Sequence, residues 1–262
     1  MSRKALYAGS FYTRNADAMQ AQLQKWLAGI DTFYPPQRLL GVIVPHAGYI
    51  YSGACAARGF HRLTDQRIDS IVIIHPSHQS AGFDFSVSPY SIYETPLGNI
   101  QQDKEIHDML VVRENTEIDG WYHQNEHSME IELPFIKYLF DGVPVNAVMM
   151  GNQTLEVAQR LALILEDVMA RTSKRVMLVV STDLSHYRAS EKAEKLDSKV
   201  IECIQALDPD TLWYEVRTNK AEACGIGGVL TLLCLAKRSA EAKAQILEYT
   251  HSGKVSGDNS QV

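Results

Sequence analysis

Three short apolar runs along the chain end the same way. Leu39-Leu40-Gly41-Val42-Ile43-Val44 stops at Pro45-His46-Ala47-Gly48-Tyr49. Ser70-Ile71-Val72-Ile73-Ile74 stops at His75-Pro76-Ser77-His78, and Val176-Met177-Leu178-Val179-Val180-Ser181 stops at Thr182-Asp183-Leu184-Ser185-His186-Tyr187. Continuous β-branched and aliphatic runs of this length, closed by turn residues, read as strands buried on both faces. Parallel strands bring their carboxyl ends to one edge of a sheet, and ligands bind in the crevice outside that edge. Three such strands, each releasing a histidine, therefore predict one shared site. A fourth buried strand is read at Val143–Met150 and a short alternating one within Asp84–Tyr90.

Helical periodicity fills the intervals. Asp17 to Ile30 places Met19, Leu23, Trp26 and Leu27 on one face, and Pro35-Pro36 halts the chain before the first core strand. Further helices are predicted at Ser52–Leu63, Asp103–Val112, Leu155–Ala170 and Ala189–Ala206, the last with Leu196, Val200 and Ile204 inward. After His127, residues Met129, Leu133, Ile136 and Phe140 share a face, with Pro134 forcing a start or a kink. Gly225-Ile226-Gly227-Gly228 opens an apolar helix through Ala236, and Ile246-Leu247-Glu248-Tyr249 reads as a last strand. The opening Ala5–Tyr12 is too short for an element of its own, and Thr95-Pro96-Leu97-Gly98 is a turn. Strands alternating with helices predict a three-layer α/β/α domain with a largely parallel central sheet. No stretch resembles a linker, so residues 1–262 are read as a single domain.

Composition narrows the partners. A net charge of -6, with charged residues at 21% and hydrophobic ones at 45%, supplies no basic footprint for nucleic acid or an anionic membrane. No apolar run approaches spanning length, and Met1-Ser2-Arg3-Lys4 leads into no signal-peptide core. The four cysteines, Cys55, Cys203, Cys224 and Cys234, form no CxxC pair. A reducing, cytoplasmic protein is expected.

The chemistry centres on histidine. His46 and His78 both follow buried strands inside proline-containing turns, where stiff backbone suits metal ligation. Two imidazoles do not specify a metal, and the third ligand comes from Cys224, Asp183, Glu130 or His186. Cys224 precedes the glycine-rich start of a helix, a position that favours the thiolate. Cys55, Cys203 and Cys234 read as small buried apolar residues. In Asn125-Glu126-His127-Ser128-Met129-Glu130, His127 and Glu130 fall on one helical face with Glu126 beside them. That cluster could orient an imidazole or share a proton, or be a charged first turn favoured by the helix dipole. His61, His107, His123 and His251 are assigned to the solvated surface, and His75 is left as a neighbour of the ligands. Ser77 and Ser185 sit in no GxSxG elbow, which argues against serine-hydrolase chemistry.

At these residues the chain resembles the Memo-like family, also called component B of the AmmeMemoRadiSam system. The likeness runs almost end to end, through Ala8-Gly9-Ser10-Phe11-Tyr12, Pro45-His46-Ala47-Gly48-Tyr49, Pro76-Ser77-His78, Thr95-Pro96-Leu97-Gly98, Glu126-His127-Ser128-Met129-Glu130 and Ser181-Thr182-Asp183-Leu184-Ser185-His186. The resemblance implies a fold similar to LigB-type class III extradiol dioxygenases, which hold non-haem iron with two histidines and a carboxylate. Carried over, His46 and His78 become metal ligands, Cys224 takes the place of the carboxylate, and His186 stands where the acid/base histidine belongs. Asp183, His127 and Glu130 are expected beside them in catalysis. The chain departs from the family pattern at Thr13 and His75, where proline and glycine are usual, and it ends at Val262 before a final apolar strand common in relatives.

The reading is a metal-binding oxidoreductase holding iron or copper, with zinc a further candidate, and no cleavage of simple catechols is expected. Its rivals are a non-catalytic module that captures a peptide or small molecule, and a metal-dependent hydrolase in which His186 activates water. A radical-SAM partner is implied by the family's name alone.

Overall fold

A computed structural model describes residues 1–30, 37–112, 116–117 and 119–262. The Pro35-Pro36 stop lies outside the described residues. The strands are β1 (Ser2–Arg3), β2 (Gly41–Val44), β3 (Ser70–Pro76), β4 (Phe85–Val87), β5 (Ile92–Thr95), β6 (Gly98–Gln101), β7 (Thr116–Glu117), β8 (Val145–Met150) and β9 (Val176–Ser181). The helices of the first half are α1 (Ala16–Ala28), α2 (Tyr49–His61), α3 (Lys104–Val111), α4 (Gly120–Gln124), α5 (His127–Glu130) and α6 (Leu133–Leu139). Those of the second half are α7 (Leu155–Arg171), α8 (Ser190–Gln205), α9 (Pro209–Arg217), α10 (Ile226–Ala236) and α11 (Ser252–Ser256).

The main sheet runs β2-β9-β3-β8-β4-β7, and β2, β9, β3 and β8 are mutually parallel. Strand β4 turns antiparallel against β8 and carries β7. Strands β3, β8 and β9 are buried along their length, as their largely apolar sequence requires when both faces are covered. The outer strand β2 is only alternately buried. Alternate side chains divide between two cores. Val72, Ile74, Val148 and Val180 face α3, α7, α9 and α10, while Ile71, Ile73, Ala147 and Val179 face α1, α2, α5 and α6. Helices on both faces of a parallel-rich sheet give the predicted α/β architecture.

Several elements depart from the sequence reading. The opening residues join a small three-stranded sheet, where β1 runs parallel to β5 and β5 pairs antiparallel with β6 around Pro96-Leu97. Two to four residues per strand leave too little periodicity to read. The helix after His127 is two helices, because Pro134 sits in the first turn of α6, where its missing N–H costs nothing. The stretch Ile246–Tyr249 is not a strand. Its side chains anchor it instead: Glu248 pairs with Arg58, and the Tyr249 hydroxyl donates to Asp197 at 2.6 Å.

The order β2-β9-β3 places three carboxyl ends side by side, with Val44 in register with Ser181 and Ile74 with Val180. His46 and Asp183 each lie two residues beyond their strand, and so does His78 beyond β3. Opposite them, the amino end of α10 approaches β9. A Cβ on Gly225 would stand 2.5 Å from the Ser181 carbonyl oxygen, so glycine there permits the close contact that seats Cys224 over the strand end. Among the described residues, no helix is long and apolar enough to cross a membrane.

Candidate metal centre

His46, His78 and Cys224 each offer a ligand atom, and these atoms lie within 4.8 Å of one another. His46 Nε2 is 3.2 Å from Cys224 Sγ. The opposite nitrogen of each imidazole is held from behind. His46 Nδ1 contacts Ser181 Oγ at 2.7 Å, and His78 Nδ1 contacts Glu126 Oε1 at 2.9 Å. Glu126 also accepts the backbone N–H of His78 at 2.8 Å and that of Ser128 at 3.0 Å. Such outer partners fix a ring's orientation and tautomer, as metal-ligating histidines generally require.

Asp183 ties the group together without joining its donor atoms. Its Oδ1 accepts the backbone N–H of His46 at 2.8 Å and of Ala47 at 3.2 Å, while its own N–H donates to Cys224 Sγ at 3.2 Å. The other carboxylate oxygen is 3.9 Å from His46 Nε2 and 4.0 Å from His186 Nε2. His186 is the most open member, with its side chain 37% exposed beside the exposed Tyr187. His127 lies tilted over His78, with ring centroids 4.5 Å apart, and edge-on to His46 at 5.3 Å. Its Nδ1 is 3.3 Å from Glu126, so His78, Glu126 and His127 form a second, overlapping donor group. Tyr7 and Phe11 close on the outer side of His127 at 5.6 and 5.0 Å.

Glu130 is placed elsewhere than the shared helical face suggested. Its carboxylate is fully buried and accepts from the Arg3 guanidinium, the Tyr12 hydroxyl at 2.7 Å and the N–H groups of Leu6 and Tyr7 at 3.1 and 2.7 Å. Every lone pair is engaged in clamping the amino-terminal segment, and no carboxylate oxygen is left to face His127. The assignment of His123 to the surface is also corrected. It is fully buried under β4, with Nε2 3.1 Å from Ser86 Oγ. His61, His107 and His251 are half-buried. His75 lies within β3 rather than after it, with Nδ1 2.9 Å from Ser128 Oγ.

Burial sets the electrostatics. It lowers His46 to about 4, against the partial opposition of the Asp183 carboxylate. Burial also lowers His127. His78 resists the same penalty, because the hydrogen bond and charge of Glu126 hold it above the usual histidine value. Burial would raise Glu126, but its bonds to His78 and the neighbouring imidazoles keep it below the usual carboxylate range. Cys224 corrects the expectation of a thiolate at a helix start. Burial and the Asp183 carboxylate push its thiol up to about 12, outweighing the N–H groups that favour the anion.

These residues fit a bound metal ion. Protein groups alone leave Cys224 a thiol facing a neutral imidazole, and a cation at the site is what would deprotonate a ligating sulfur. Both imidazoles are held at Nδ1, which leaves Nε2 of each for coordination. Ser181, Tyr7 and Phe11 take part in this arrangement although the sequence assigns them no site role. Glu126 belongs to the cluster that the sequence marks as able to orient an imidazole, and it does so at His78.

Comparison with known proteins places the chain in a family. The family model described as Memo-like protein matches residues 3–262. A MEMO1 family protein of Sulfurisphaera tokodaii is 36% identical over 277 residues, covering 100% of this chain and 96% of its own. One from Desulfurococcus amylolyticus is 35% identical over 99% of this chain and 95% of its own, and one from Methanosarcina mazei is 33% identical over 99% and 96%. Among solved structures, an uncharacterized protein of Escherichia coli K12 overlaps 70% of this chain and 83% of its own, with a TM-score of 0.41 at 13% identity. That likeness is too slight to carry an argument, whereas the match along the sequence is nearly complete: the chain belongs to the Memo-like family.

Proposed function

We propose that the protein is a metal-dependent oxidoreductase in which His46, His78 and Cys224 hold a redox-active transition metal, iron or copper. The observation that carries this reading is the approach of His46 Nε2 to Cys224 Sγ at 3.2 Å, beside a second imidazole whose far nitrogen is already bonded to a carboxylate. Two imidazoles and a thiolate suit softer, redox-active ions over magnesium or calcium, with zinc the redox-silent competitor. When bound, such an ion would supply electron transfer and open positions for oxygen or a small ligand.

The chain's own residues supply the rest. Glu126 and Ser181 orient the two imidazoles from behind. Asp183 fixes the His46 turn and the Cys224 loop through three backbone contacts. His186, partly exposed and 4.0 Å from Asp183, is the group placed to take or give a proton at the mouth of the site. His127, Tyr7 and Phe11 present ring faces and edges on which a small aromatic molecule or a peptide side chain can rest.

Elemental analysis of protein purified without affinity-tag metals tests the reading. Stoichiometric iron or copper is expected in the parent, and its loss is expected in His46→Ala and His78→Ala with the fold retained. Either variant binding the metal as tightly as the parent would refute the ligand assignment. Oxygen uptake by the loaded protein separates an oxidoreductase from a hydrolase, and a loaded protein that turns nothing over points to a binding module.

A further inference from the structure

Ser181, the last residue of β9, is fully buried and makes three polar contacts with one hydroxyl hydrogen. Its Oγ is 2.7 Å from the Ser128 carbonyl oxygen, 2.7 Å from His46 Nδ1 and 2.9 Å from Glu132 Oε1. We propose that Ser181 is a positioning residue that, backed by Glu132, fixes His46 as the Nδ1–H tautomer and so turns the Nε2 lone pair toward Cys224 Sγ. This rests on the metal-holding reading above.

Counting hydrogens carries the argument. A carbonyl oxygen only accepts, so at 2.7 Å the Ser128 contact takes the Ser181 hydrogen. Both serine lone pairs then face groups that must donate. His46 does so through Nδ1–H. Glu132 does so only if its carboxyl group carries a proton. The opposite tautomer, with hydrogen on Nε2, would draw the serine hydrogen to Nδ1 and leave the buried Ser128 carbonyl facing a lone pair, a costly arrangement.

The surroundings of Glu132 agree with a neutral carboxyl group. It is completely buried, and its Oε2 has no hydrogen-bond partner among the described residues. No cation among the described residues pairs with it. The charged group that bears on it from beyond β9 is the Asp183 carboxylate, and from α2 it faces the buried Tyr49 phenol. Burial foremost, with Asp183 adding to it, raises Glu132 well above the ordinary carboxylate range despite the Ser181 contact. The contrast with Glu130, two residues earlier and paired with Arg3, shows how differently one short segment treats its two buried acids.

The test uses the full chain, first without metal and then with Co2+, whose thiolate absorption reports sulfur ligation. Nitrogen-15 spectra of metal-free parent are expected to show His46 protonated at Nδ1 alone. Ser181→Ala should give a tautomer mixture and weaken Co2+ binding by roughly 10–100-fold, the usual effect of losing an outer-shell partner. Glu132→Gln, whose amide still donates to Ser181, should preserve both. Relative to Glu132→Gln, the parent should lose stability as pH rises from 5 to 8, by about tenfold in the unfolding constant per unit. The folded parent retains a proton over that range that the unfolded chain gives up. A parent His46 protonated at Nε2 would overturn the proposal, even if Ser181→Ala fails to fold. So would a Ser181→Ala protein with parent tautomer and parent affinity, or stability curves of parent and Glu132→Gln that stay parallel across that range. If Co2+ binding in the parent equals that of His46→Ala, the metal reading falls, while the tautomer spectra still judge Ser181.

Discussion

Replacing Arg3 by methionine tests the placement of Glu130 as an anchor instead of a catalytic acid. The two side chains are 1% and 0% exposed and form an ion pair, so neither charge has water to fall back on. Arg3 also donates to the carbonyl oxygens of His123 at 3.0 Å, Lys4 at 2.6 Å and Glu126 at 2.7 Å. Methionine keeps much of the volume and removes all of these donors. Breaking a buried pair by removing one partner costs about 3–5 kcal/mol. Glu130 retains three other donors, so the lower half of that range is expected. For a chain of this size that is a melting shift on the order of 6–15 °C. Urea unfolding of Arg3→Met, Glu130→Gln and the double variant forms a cycle, and the double variant should recover about 1–3 kcal/mol of the summed loss. Because Arg3 also holds the Glu126 carbonyl, and Glu126 orients His78, metal affinity should fall with stability in Arg3→Met. A loss below about 1 kcal/mol, or strict additivity in the cycle, would refute the anchoring role.

His186→Ala should leave metal content unchanged and reduce any turnover by about 10²–10⁴-fold, and loss of metal by elemental analysis would instead make His186 a ligand. His75 is lowered by burial to about 3, so the unfolded chain binds a proton below about pH 6.5 that the native state refuses. Metal-free protein should therefore lose up to about 1.4 kcal/mol per pH unit from this group as pH falls below about 6.5 toward about 3. His75→Gln should flatten the slope in urea titrations at pH 7, 6 and 5. Cys224→Ser should weaken copper retention more than iron retention in chelator competition, since a hydroxyl is a harder donor than sulfur. The loaded parent should not open simple catechol rings, and rapid iron-dependent ring opening would count against a sulfur ligand.

What the sequence determined by itself was the sheet and the edge where chemistry gathers. Uninterrupted aliphatic runs such as Ile71–Ile74 and Val176–Val180 can be satisfied only with both faces covered, and that requirement is local enough to read. The turns after them delivered His46, His78 and Asp183 to one edge because parallel strands share a direction. The resemblance through short ordered motifs added Cys224, which periodicity alone left among four candidates. What the tertiary structure decided were the partners and charge states. Glu126, Glu130 and Glu132 lie within seven residues, yet one holds an imidazole, one clamps Arg3 and one sits beside Ser181 with an unpartnered oxygen. Nothing in Glu-x-x-x-Glu-x-Glu distinguishes them, because desolvation and pairing arise from segments more than 40 residues away. The same holds for His123, polar in its sequence neighbourhood and buried by the strand it meets, and for Cys224, whose thiol answers to burial and Asp183 over the helix it precedes. Periodicity is a property of neighbours along the chain, whereas ionisation and ligand geometry belong to neighbours in space.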